Sequence, residues 1–83
     1  MKLVYFAWVR ERIGRADEEI VLPGHVATAG ELLDWLKGRG AEYEHALAEP
    51  AAIRVAVDRV HGSRDTPLAG ASEVALFPPM TGG

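Results

Sequence analysis

The sequence predicts an α+β domain: a mixed sheet of about five strands with one main helix packed on one face. Three observations carry this. Runs rich in β-branched and aromatic residues open and close the chain, at residues 2–9 and 74–77. A helix with a capping signal at Thr28 lies between them. The length, 83 residues with 48% apolar and 25% charged side chains, suits one thin-cored globular domain and leaves no room for a second.

Each element follows from its pattern. Residues 2–9 alternate Leu3, Tyr5, Ala7 and Val9 against Lys2, Val4, Phe6 and Trp8. Neither set is clearly polar, which predicts a strand covered on both faces or used in a contact. Residues 10–17 are polar and broken by Gly14, predicting a loop. Residues 18–22 read as a second strand stopped by Pro23-Gly24, giving a hairpin in outline. The carboxylates of residues 17–19 read as a solvated acidic run. Thr28 and Glu31 form a T-x-x-E capping box, Leu32, Leu33 and Leu36 recur at helical spacing, and Gly38 and Gly40 end the helix through glycine's tolerance of the left-handed C-cap. Trp35 belongs to the same stripe. Residues 42–47 read as a shorter helical piece stopped by Pro50. Ile53, Val55 and Val57 alternate with Arg54 and Ala56 as a strand. Asp58-Arg59 is the turn into a short return strand, Val60-His61, although arginine is a poor second turn residue. Leu68 anchors a loop. A final strand over residues 74–77 ends at Pro78-Pro79. The first and last strands can pair in parallel at the sheet centre, because a helical crossover separates them. That order is the β-grasp architecture, with residues 1–77 as the domain and residues 78–83 as a flexible, extended tail.

Composition narrows the chemistry. With no cysteine there are no disulfides, thiolate metal sites or side-chain thiols, which fits the cytosol. The net charge of −3 supplies no basic field for nucleic acid. No apolar run approaches the ~20 residues of a membrane span, and the N-terminus lacks a secretory cleavage site. His25, His45 and His61 are not at metal-ligand spacing. No phosphate loop occurs, and nothing marks Ser63 or Ser72 as a nucleophile.

The chain end remains: Phe77-Pro78-Pro79-Met80-Thr81-Gly82-Gly83. At an average glycine usage of ~7%, a terminal Gly-Gly arises by chance in about one chain in two hundred, so the pair alone is a moderate signal. The context strengthens it. Two prolines stiffen the exit from the strand, and side-chain-free glycines can pass through a narrow channel. Six residues beyond Phe77 reach ~20 Å when extended. A stiff root and a thin tip suit a tail inserted into another protein's active site. The functional group at such a tip is the α-carboxylate of Gly83, ionised above ~3.5 and a poor electrophile until another enzyme activates it.

These residues resemble a known family. Residues 5–11, 55–58, 65–68 and above all 73–83, a glutamate-valine strand running into Phe-Pro-Pro-Met-Thr-Gly-Gly, look like the MoaD-type, ubiquitin-like small subunit of molybdopterin synthase, across essentially the whole chain. The resemblance implies a sulfur carrier. An E1-like, MoeB-type enzyme would adenylate Gly83 with ATP, and a sulfur donor protein would convert it to a thiocarboxylate. The tail would then enter the large, MoaE-type subunit of a heterotetrameric synthase, where sulfur builds the dithiolene of molybdopterin from cyclic pyranopterin monophosphate. Catalysis would belong to the large subunit, and the carrier itself would need no cofactor and no metal. By the same resemblance Gly82, Thr81, Pro79 and Pro78 thread the tail, and Phe6, Phe77, Met80 and His61 meet partners. Arg10 is a candidate docking arginine. Asp58 stands where the family often has Asn, and His61 where an apolar residue is usual; burial there would favour the neutral imidazole.

Plainer roles are open for the same side chains. Phe6 and Phe77 suit a core, Trp8 suits packing, and Arg10 and Arg12 suit a solvated loop. Other functions are open too: a carrier for another pathway such as thiamine, a ubiquitin-like protein modifier, or an interaction module with an incidental tail.

Overall fold

The computed structural model describes residues 1–79, so Met80, Thr81, Gly82 and Gly83 lie outside the described residues. The elements run β1 (Lys2–Tyr5), α1 (Ala7–Ile13), β2 (Asp17–Glu19), α2 (Ala29–Lys37), α3 (Ala41–Ala46), a 3-10 turn (Pro50–Ala52), β3 (Arg54–Val57), β4 (Val60–His61) and β5 (Glu73–Phe77). The strands form one mixed sheet in the order β2-β1-β5-β3-β4. β5 is central, parallel to β1 and antiparallel to β3, as the helical crossover predicts. The helices share one side of it. Leu3, Tyr5, Val55, Val74 and Leu76 point to that side and join Val9, Ile13, Leu32, Leu33, Leu36, Tyr43, Ala46 and Leu47 in a single core.

The first strand is shorter than its composition predicts. It ends at Tyr5, and residues 7–13 form a helix instead of more strand and a loop. The Phe6 amide still donates to the Leu76 carbonyl, closing the ladder beside β5. The chain then turns through Ala7 at a φ of 52°. Val9 and Ile13, four residues apart, enter the core together, which strand spacing does not allow. Gly14 ends α1 in the left-handed conformation, with its amide on the Arg10 carbonyl. β1 and β2 are antiparallel neighbours, but the helix between them replaces the expected hairpin loop. The second strand spans three residues instead of residues 18–22.

The main helix begins as its capping box requires. The Thr28 hydroxyl accepts from the Glu31 amide at 3.3 Å, and Glu31 accepts from the Thr28 amide at 3.1 Å. Its end differs from expectation: Gly38 is right-handed, with a φ of −82°. Leu68 is buried, and its amide donates to the Ala27 carbonyl, tying the late loop to the start of α2.

The acidic run is a correction. Glu18 pairs with Leu3 across β1–β2, so strand alternation turns it toward the helices while Asp17 and Glu19 face the other way. Its side chain is 6% exposed. The Tyr5 and Tyr43 hydroxyls each donate to it at 2.6 Å, and Arg39 at 2.8 Å. Burial opposes the charge, but the Tyr43, Tyr5 and Arg39 donors outweigh it and hold the carboxyl below the ordinary glutamate range. Burial and then Glu18 itself push both tyrosines above theirs.

Candidate functional site

Among the described residues, no helix packs over the sheet's second face. Register places one side chain from every strand in a row across it: Asp17, Val4, Ala75, Ala56 and His61. Small alanines at the middle of the row leave a hollow between larger neighbours. The result is an open groove of about 590 Å³, lined by Val4, Phe6, Ala56, Ala75 and Phe77 with Lys2, Asp17, Arg59 and Glu73 around them. The floor is apolar and the surroundings are charged, the pattern of a contact surface.

Phe6 and Phe77 stand at the end of this groove where β5 leaves the sheet. Phe6 is 47% exposed and Phe77 half-buried, so neither belongs to the core. An aromatic left half in water at a strand end costs apolar exposure that a partner's surface can relieve. His61 is exposed on β4 and packs edge-on against Phe77, with ring centroids 5.4 Å apart at 89°. The residues after Phe77, Pro78 and Pro79, are half-buried. Strand, aromatic pair and tail root therefore meet at one place.

Arg10 is exposed on α1 and does not line the groove. Trp8 is half-buried against the core, and the Arg12 guanidinium lies 4.3 Å from the centre of its ring. Met80, Thr81, Gly82 and Gly83 lie outside the described residues. Among the described residues, no cluster of His, Asp and Glu side chains is placed to hold a metal ion. No described helix is long and apolar enough to cross a membrane.

Two features were not anticipated. Val4, Ala56 and Ala75 line the groove, and their parity with Phe77 along β5 and across the ladders is the signal that identifies them. Asp58 does more than turn the chain. Asp58 and Arg59 both adopt positive φ, 48° and 70°, as a two-residue turn between twisted strands requires. The Asp58 carboxylate also accepts from the Ser72 and Glu73 amides, each at 2.9 Å. That fixes the start of β5, the strand that leads into Pro78 and Pro79.

Comparison with known proteins places this geometry. Residues 3–83 match the model of the ThiS family. The chain is 34% identical to the molybdopterin synthase sulfur carrier subunit of Escherichia coli K12 and 31% identical to that of Haemophilus influenzae. Each match covers 100% of this chain and 99% of the relative. The crystal structure of SAMP1 from Haloferax volcanii, a small archaeal modifier protein, superposes with a TM-score of 0.73 at 28% identity, covering 100% of this chain and 98% of the other.

Proposed function

Since the chain belongs to the ThiS family, we propose that it is the sulfur carrier of molybdopterin synthase, with Gly83 as the residue that bears the sulfur. The observation that supports this best is the convergence at the end of β5. The central strand runs out between two accessible aromatics and into Pro78-Pro79, while the relatives at 34% and 31% identity are named for sulfur carriage over their full length. Residues 1–77 serve as the docking body and residues 78–83 as the delivering arm.

The chemistry follows from the carboxylate. Ionised Gly83 resists attack, so its oxygen first attacks the α-phosphate of ATP on an E1-like, MoeB-type enzyme and pyrophosphate leaves. The outer sulfur of a persulfide on a donor protein then attacks the acyl-adenylate carbonyl, a carbon–sulfur bond forms and AMP leaves. A thiol reductant cleaves the sulfur–sulfur bond of the resulting acyl disulfide, freeing the Gly83 thiocarboxylate and leaving a disulfide. The thiocarboxylate enters the large, MoaE-type subunit, where its sulfur bonds to a carbon of cyclic pyranopterin monophosphate as a carbon–oxygen bond there breaks. Water then cleaves the Gly83 carbon–sulfur bond, leaving the sulfur on the pterin and restoring the Gly83 carboxylate. This chain's own contribution is positional. β5 anchors the arm, the paired prolines Pro78 and Pro79 limit its directions, Thr81 and Gly82 keep its tip slim, and Phe6, Phe77 and Met80 bind the partner.

The test is intact mass spectrometry after incubation with ATP, the activating enzyme and a sulfur donor. A gain equal to exchanging one oxygen for sulfur, lost when Gly83 is deleted, supports the carrier. No gain, under conditions that convert the Escherichia coli carrier, defeats it.

The likeness to SAMP1 favours one second reading, a protein modifier whose activated glycine acylates lysines. Trypsin would leave residues 65–83 on such a lysine, because Arg64 is the last cleavage site. Finding that remnant on other proteins in cells would support the modifier.

A further inference from the structure

The length of the arm constrains what a partner covers. Six residues follow Phe77 and span at most ~20 Å, so any active site that receives Gly83 lies within that distance of the Phe77 ring. A partner that takes the tip into an enclosed pocket comes closer still, and its surface around the pocket mouth faces the groups beside the tail root. His61 is one of them: exposed in the free chain and in edge-on contact with Phe77. Its backbone sits on edge strand β4, at the end of the row that crosses the groove.

We infer that His61 makes docking of this face proton-dependent: the complex buries its neutral imidazole beside Phe77, and protonation of the ring weakens the complex. The inference rests on the docking role proposed above. Imidazoles titrate around ~6.5, and loss of water disfavours the charged form unless a carboxylate replaces it. The charged groups on the surrounding elements do not supply one. From β3, Arg54 is a cation whose guanidinium donates to the Ala51 carbonyl at 3.0 Å. In the β3–β4 turn, Arg59 is another cation, and the Asp58 carboxylate is engaged by the Ser72 and Glu73 amides. Glu73 on β5 pairs with Lys2 on β1, and Lys2 in turn with Glu19 on β2, a register row away from the His61 row. Asp17 shares the His61 row but lies on the opposite edge strand. Among the described residues, no carboxylate forms an ion pair with His61.

The experiment is calorimetric titration of the full chain into the large molybdopterin synthase subunit of the same organism, at about pH 8 and about pH 5.5. The wild type should lose affinity on the order of tenfold at the lower pH, because the free state takes up a proton that the complex excludes. His61→Gln and His61→Leu should lack that loss, whereas His45→Gln, at an exposed position on α3 in the helical layer, should keep it. As a check that needs no variant, the His61 ring protons followed by NMR should titrate at lower pH in the complex than in the free wild type. Equal slopes for the wild type and both His61 variants, or unchanged His61 titration on binding, would overturn the inference and leave the docking role standing. No binding at about pH 8 would overturn the docking role and the inference with it.

Discussion

Glu18 shows how one side chain can hold three elements. It receives hydroxyls from β1 and α3 and a guanidinium from the segment between α2 and α3, in a site nearly closed to water. Replacing it with alanine strands two buried phenols, and Glu18→Ala should cost about 2–3 kcal/mol in chemical denaturation at neutral pH. The pH dependence has a definite sign. A carboxyl held below its unfolded value contributes stability that is present above ~4.3 and lost as the pH falls through its folded value. Glu18→Gln should therefore be less stable than wild type near neutrality, and the gap should narrow in acid. The tyrosines act in the opposite range. Their raised values give stability that is present below ~10 and lost as the pH rises above it. Asp58 offers a second test at this scale. Asparagine keeps the oxygen that accepts from the Ser72 and Glu73 amides, and alanine removes it. Asp58→Ala should lose about 1–2 kcal/mol and Asp58→Asn far less, read from urea midpoints. Nothing in the sequence near residue 58 names these amides, because they lie fourteen and fifteen residues away.

At the scale of elements, local chemistry predicted some segments well and others badly, for physical reasons. The start of α2 is legible because Thr28 and Glu31 satisfy each other's backbone groups within one turn. The β3–β4 turn is legible from Asp58, yet Arg59 occupies a left-handed position at a φ of 70° that suits glycine. Arg59→Gly should raise stability by about 0.5–1 kcal/mol, the relief of left-handed strain less glycine's greater unfolded entropy. A thermal melt would measure it. The misread element is α1. Val9 and Trp8 favour strands, and strand-like alternation continues through them. The competing signal, Val9 and Ile13 on one helical face, is only two residues strong. The candidate site divides the same way. Phe77 and the prolines are visible as a sequence motif, whereas Val4, Ala56 and Ala75 join the groove only through register between strands far apart in the chain.

For the whole molecule, the order β2-β1-β5-β3-β4 puts the tail's root on the strand with neighbours on both sides. The sulfur-carrier role proposed above needs that root to stay folded while successive partners handle the tail. Hydrogen exchange should show it: the amides of Val74, Ala75 and Leu76 should open only with global unfolding, and those of edge strands β2 and β4 well before. Early exchange of β5 would mean that the arm is anchored elsewhere. The sheet also separates two tasks. One face is closed by α1, α2 and α3 and supplies the core, while the other is left to a shallow apolar groove with charged surroundings.

The sequence by itself determined the class of the fold, the capped main helix, the Asp58 turn and the motif at the chain end. The helix cap, the turn and the terminal motif each depend on residues within a few positions of one another, where spacing alone sets geometry, and the class follows from the order in which such local elements recur along the chain. The helical path after Tyr5, the burial of Glu18 and the ring contact that joins His61 to Phe77 at the tail root were decided only by the tertiary structure. Each of these depends on which strand lies beside which. Leu3 opposite Glu18 buries a carboxylate that looks solvated, and the Leu76 carbonyl holds Phe6 at the point where the chain turns into α1.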